Sequence, residues 1–214
     1  MPTRNRLAAP LALLLLILTG GLTGGAAIAA PAPASNPEPA VAAVASGSPE
    51  MVAWIQAATP GDNHALLTRM AGSYTVETRF FAGPGAEAQV SQAMAEQTMV
   101  FGGRYLRQEF SGEMAGQPFH GTGFIGYDNV RKKFFSFWVD TMSTAPLLHD
   151  GACSDKACNT LVFRGEYVDP STHKKKKNRT VTELTADGKL VFSLFDQDKK
   201  GKEFKSMELI YTRR

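Results

Sequence analysis

The feature that most constrains this chain is an aromatic hairpin, GQPFHGTGFIGYDNVRKKFFSFWVDTMST, running from Gly116 to Thr144. Its alternation predicts one strand over Phe119–Tyr127 and a return strand over Phe134–Asp140, with Asp128, Asn129 and the basic residues after them turning the chain. In the return strand Phe134, Ser136, Trp138 and Asp140 share one face, while Phe135, Phe137 and Val139 share the other. Large side chains on both faces place such a hairpin in the middle of a sheet rather than at its edge.

The neighbouring strands that this requires are visible in the sequence. From Ser73 the pattern has a period of two: Tyr74, Val76 and Phe80 alternate with Thr75, Glu77 and Arg79. Further strands are predicted over Val90–Phe101, Arg104–Phe110, Leu147–Gly151, Thr160–Tyr167, Arg179–Thr185, Leu190–Asp196 and Glu203–Thr212. Gly83-Pro84-Gly85, Gly102-Gly103, the stretch from Ser111-Gly112 to Gly116-Gln117, Asp187-Gly188 and Asp198–Lys202 supply the turns. About ten strands joined by hairpin-length links predict an all-β fold, an antiparallel up-and-down β-barrel whose closure removes exposed edges.

Two short helices are predicted ahead of the barrel. Ser48-Pro49-Glu50 combines an N-cap, a first-turn proline and an acid at the positive end, opening a helix over Met51–Ala58. Met51, Trp54, Ile55 and Ala58 share one stripe of it. Pro60-Gly61 stops that helix, and Asp62 is placed to cap a second over Asn63–Met70.

Met1–Ala29 has the plan of a secretory signal peptide: Arg4 and Arg6, the apolar run Leu11–Leu18, and Ala27-Ile28-Ala29 as the cleavage site. Residues 30–47 read as a disordered Pro/Ala-rich tether, and residues 48–214 as one barrel domain. The expected location is the periplasm or the medium. Removing Arg4 and Arg6 takes Lys+Arg from 23 to 21 against 20 Asp+Glu, a net charge of +1. That balance argues against a nucleic-acid partner, which calls for a strongly basic face. In an exported chain, Cys153 and Cys158 of CSDKAC favour a disulfide. They are too few for a zinc site.

The runs HALLTRMAGSYTVETRFFAGPG, FGGRYLRQEFSGEMAGQPFHGTGFIGYDNVRKKFFSFWVDTMST and the closing MELIYTR resemble the bacterial family called domain of unknown function 1579. The resemblance covers His64–Arg213, and GYD followed by W-x-D is its most specific piece. It implies a lipocalin-like, calycin-type barrel, which agrees with the meander read from the strands. It implies no activity, because the family has none established.

Other patterns point to less. Gly121-Thr122-Gly123-Phe124-Ile125-Gly126 satisfies G-x-G-x-x-G, but an aromatic strand follows where a dinucleotide site needs a helix. The steric reading is the better one: these glycines permit close approach. Asp196–Gly201 begins like a calcium loop, yet Lys200 stands where an oxygen ligand belongs. His64, His120, His149 and His173 lack partners at metal-ligand spacing, so packing or surface roles are the default. A single histidine holding haem in the barrel is the alternative. No cofactor, no metal and no catalytic residue is assigned.

The functional expectation is a binding or carrier barrel for a small, partly apolar ligand. Trp138, Asp140, Arg104 and Tyr127 are the candidate contacts. If the face of Trp138 and Asp140 points inward, an apolar ring beside an acid suits a pocket; if it points outward, the two are ordinary cross-strand neighbours. The alternatives are an envelope accessory acting through its surface and an enzyme pairing Asp140 with Arg104. Lys174, Lys175, Lys176 and Lys177, followed by Arg179, read as a solvated hairpin tip or as a weak contact to an anionic envelope surface.

Overall fold

The computed structural model describes residues 47–114 and 116–214. The signal-like leader and nearly all of the tether lie outside them. The order is α1 (Pro49–Ala58), α2 (Asp62–Leu67), a 3-10 turn (Thr68–Met70), β1 (Gly72–Phe81), β2 (Ala88–Val100), β3 (Tyr105–Met114), β4 (Gln117–Asp128), β5 (Lys133–Asp140), β6 (Leu147–Cys153), β7 (Thr160–Val168), β8 (Lys175–Leu184), β9 (Leu190–Gln197) and β10 (Glu203–Arg213). Each strand pairs antiparallel with the next, and β10 returns to β1 to close the barrel. The expected ten-stranded meander is therefore the fold. Closure sets Val76 opposite Tyr211 and Thr78 opposite Leu209, so the first and last strands contribute to one interior.

One end of the barrel is plugged. Leu67 and Met70, from α2 and the turn after it, are buried among Tyr74, Leu106, Phe134, Leu161 and Leu190. The Tyr74 hydroxyl donates to the Met70 carbonyl at 2.8 Å. Arg213, at the end of β10, donates to the carbonyls of Ala71 and Arg69 at 2.7 and 2.8 Å. The plug is thus tied to both strands of the closure.

Local signals explain the helices, with two differences. Ser48 caps α1 as expected, its Oγ accepting from Met51 N–H at 3.3 Å. The second helix is capped at Gly61 rather than Asp62: the buried His64 reaches back, and its Nδ1 accepts the Gly61 N–H at 3.1 Å. No residue of α1 is buried. Its stripe is largely exposed, with Trp54 70% exposed, and its C-terminal end is held by Asn129 donating to the carbonyls of Ala57 and Thr59.

Two strand expectations are also corrected. Ser111-Gly112 do not turn; they continue β3, where a Cβ on Gly112 would stand 2.6 Å from that of Ala93. Lys175–Lys177 are not a loop but the first turn-free residues of β8. Alternation sends Lys175 and Lys177 outward and turns Lys176 to Asp169, 2.5 Å away. Cys153 and Cys158 are disulfide-bonded across the β6–β7 turn, with Cα atoms 4.9 Å apart.

Leu67→Ala should remove about 2–5 kcal/mol of stability, the usual loss for truncating a fully buried leucine. Trp54→Ala should change it by under about 0.5 kcal/mol, as at other unpacked surface positions. Urea denaturation of the two variants checks both; equal losses would contradict the exposed placement of α1.

Candidate functional site

The inward set of side chains follows from register, because directly paired residues share a face. Phe110 pairs with Gly121, Gly123 with Trp138, Ser136 with His149, His149 with Gly165, and Gly165 with Asn178. These residues face the barrel interior between the plug and the opposite end. The face carrying Trp138 and Asp140 is therefore the inward one.

Trp138 is held against the wall by missing side chains. A Cβ on Gly121 would come within 2.1 Å of its ring, and one on Gly123 within 2.6 Å. The expected steric role of the G-x-G-x-x-G stretch holds: the glycines chiefly admit aromatic rings, and a Cβ on Gly123 would also stand 3.1 Å from the Phe137 carbonyl oxygen of the neighbouring strand. Gly126 does the same on the outer face for Phe135 and Tyr105. The Trp138 indole N–H donates to Asp140 Oδ2 at 2.7 Å, and Asp140 Oδ1 accepts the Met142 N–H at 2.8 Å. Both oxygens of Asp140 are thereby engaged in fixing the ring and the β5–β6 turn. Phe110 meets Trp138 edge-on, with centroids 6.5 Å apart, and packs on Phe119. This side of the lumen is apolar.

The wall that continues from Ser136 on β5 through β6 to β10 is polar and satisfied internally. His149 Nε2 lies 3.0 Å from Asn178 Oδ1, and its Nδ1 lies 3.3 Å from Ser136 Oγ. Tyr167 donates to Asp196 Oδ1 and Ser206 to Asp196 Oδ2, each at 3.1 Å. Burial, with the Asp196 carboxylate beside it, pushes the Tyr167 phenol up to about 12. At the rim, Asp169 accepts from Lys176, from the Ser171 hydroxyl and from the N–H groups of Ser171 and Thr172. Lys176 and the other donors hold its carboxyl well below the usual carboxylate range.

The remaining candidates sit elsewhere. Tyr127 lies toward the plug, stacked edge-on against His64 at 5.9 Å and Phe134 at 4.9 Å. Arg104 lies in the β2–β3 turn at the plugged end, donating to the Phe101 carbonyl at 2.9 Å. It is thus at the opposite end of the barrel from Asp140, and the two are not brought together. Lys174 and Lys177 are exposed near the mouth and form no ion pair among the described residues, whereas Lys175 lies 3.8 Å from Glu166. Of the other histidines, His120 pairs with Ser111 on the outer face and His173 lies in the β7–β8 turn. Among the described residues no group of three His, Cys, Asp or Glu is placed to hold a metal ion. A groove of about 590 Å³ lies outside the lumen, along the β2–β3 turn, bordered by Phe101, Arg107 and Phe124.

The Ser136–His149–Asn178 row was not found by sequence reasoning. Its three residues are separated by a dozen positions or more and meet only through register. The available signal was weak: inward alternation of Ser136 on its strand, and a histidine two residues before a glycine.

The model of a family described as protein of unknown function, DUF1579, matches residues 59–213. This chain belongs to that family. No curated protein matches it. Among solved structures, a redesigned β-barrel is similar at 15% identity and a TM-score of 0.36, covering 69% of this chain and 94% of that one. At that score the likeness adds nothing to the barrel of this DUF1579 protein, which is already established by its strand pairing.

Two predictions follow from the ionisable groups. Burial holds His64 and His149 below the ordinary imidazole value, against the raising effect of their hydrogen bonds. The unfolded chain takes up these protons near the usual value of about 6.5, and the folded chain only at lower pH. Stability should therefore be full above about pH 6.5 and fall as pH drops below it. Denaturation midpoints at about pH 7.5 and 5.5 check this, and the variant His64→Asn/His149→Gln should flatten the difference. Lys176→Gln leaves the Asp169 carboxylate without its cation and should lower Tm, whereas Lys174→Gln should leave Tm unchanged; calorimetry decides.

Proposed function

We propose that this DUF1579 protein is an exported binding or carrier barrel that takes a small, partly apolar molecule into its lumen. One observation carries the reading. Gln108, Ile125, Ser136, Phe192 and Leu194 point inward by register, yet each stays partly exposed. Side chains in the middle of barrel strands keep contact with water only where the lumen is not filled. The division of the wall suits an amphipathic guest: Trp138, Phe110 and Phe119 face its apolar part, and the polar row from Ser136 to Asn178 faces its polar part. Trp138 forms the wall, and Asp140 acts by orienting the ring. Export is supported by the signal-like leader and by the disulfide.

Ligand entry should quench Trp138 fluorescence. Trp54 is exposed and far less informative, so the measurement is made in a Trp54→Phe background. A neutral ten-carbon ether is a suitable first probe. Trp138→Ala should cost less than the about 3–5 kcal/mol of a fully packed ring, because the ring borders open space. Asp140→Ala strands the indole N–H and should cost about 1–3 kcal/mol while weakening the quench. A full core penalty for Trp138→Ala, with no quenching by any member of an amphiphile series, would remove the carrier reading.

A further inference from the structure

We propose that Ser136, His149 and Asn178 form a nucleophile, base and positioning group inside the lumen, acting on the carbonyl of an ester-bearing, partly apolar guest. The inference rests on the lumen being open to such a guest, as proposed above. The row runs across four adjacent strands at one level: Ser136 on β5, His149 on β6, Gly165 on β7 and Asn178 on β8. Gly165 makes the row continuous. A Cβ there would stand 2.5 Å from His149 Cδ2 and 2.4 Å from the Leu148 carbonyl oxygen. Only an absent side chain lets the imidazole lie over β7 and reach Asn178.

The order of the contacts fixes the chemistry. The Asn178 carbonyl takes the proton on His149 Nε2 at 3.0 Å, which leaves Nδ1 as the lone-pair acceptor facing the Ser136 hydroxyl at 3.3 Å. A hydroxyl becomes a competent nucleophile when a neutral base sits against it and a third group holds that base. Burial supplies the neutrality by disfavouring the charged ring. His149 and Asn178 are buried, whereas Ser136 stays partly exposed to the lumen. The reactive atom is thus the one a guest can touch. Trp138, two residues along the same face, offers the apolar wall beside it.

In the reaction, Ser136 Oγ bonds to the carbonyl carbon while its proton passes to His149 Nδ1. The bond to the alkoxy oxygen then breaks, and that oxygen leaves with the proton from His149. A water molecule, deprotonated by the same nitrogen, releases the acid and restores the serine. Strand N–H groups are consumed by the barrel's own ladders, so the developing oxyanion meets no preformed backbone cradle. Oxyanion stabilisation is commonly a large part of such catalysis, so turnover should be slow, and acylation is the appropriate readout.

The test is labelling of the full chain with a long-chain alkyl fluorophosphonate, in which the phosphorus–oxygen bond forms and fluoride leaves. Peptide mass spectrometry should place a single adduct on Ser136, absent in Ser136→Ala. His149→Gln should slow labelling by about 100-fold, in line with the loss of a general base. The rate should fall on acidification, with a midpoint below the free imidazole value. Asn178→Ala should slow labelling and shift that midpoint, and Asn178→Asp should restore the rate, which a purely structural asparagine would not require. Thermal melts confirm that each variant is folded. An unreactive ether of the same chain length, titrated against Trp138 fluorescence, separates the two readings. Quenching by the ether with no adduct on Ser136 overturns the nucleophile and leaves the binding barrel standing. Neither quenching nor adduct overturns both. An adduct on another serine, or labelling unchanged in His149→Gln, also overturns the proposal.

Discussion

The interior of this barrel depends on rings lying against glycines of the neighbouring strands. A ten-stranded barrel encloses more space than its wall atoms can fill, so the direction of each large inward side chain decides whether the lumen is open. A ring that meets a Cβ across the strand gap must project toward the barrel axis. A ring that meets a glycine can settle over the wall instead. Trp138 does so over Gly121 and Gly123, Phe163 over Gly151, and His149 over Gly165. The apolar area of each ring is largely removed from water, which supplies much of the stabilisation.

The two ends of the barrel differ because only one receives the chain before β1. There Leu67, Met70 and His64 fill the space that strand residues leave, and Arg213 ties the turn after α2 to the closing strand. Among the described residues, the other end carries hairpin turns alone. There Lys176 pairs with Asp169, and the Asp140 oxygens take the Trp138 and Met142 donors. The buried apolar side chains of α2 and the turn after it thus lie at one end of the barrel only, among the described residues.

The polar row follows the same logic. A buried imidazole without partners is costly, and here Ser136 and Asn178 satisfy both ring nitrogens. The arrangement that satisfies the histidine also aims its free lone pair at a hydroxyl facing the lumen. Structural need and chemical capacity are met by one set of contacts. Labelling of Ser136 and its dependence on His149 separate them.

The sequence by itself determined the strand count, the meander and the site of the disulfide, because each depends on short-range signals: alternation of period two, glycine and proline at turns, and two cysteines five residues apart in a hairpin tip. It also placed Trp138 and Asp140 on one face. It did not say which face. That was decided by register, since a shift of one residue exchanges the two faces of a strand and only closure of the whole barrel fixes the choice. Register likewise separated Arg104 from Asp140, turned Lys176 inward out of an apparently uniform lysine run, and brought Ser136, His149 and Asn178 into contact. Such juxtapositions arise from hydrogen bonding between strands far apart in the chain, so no local pattern encodes them, and only the tertiary structure could supply them.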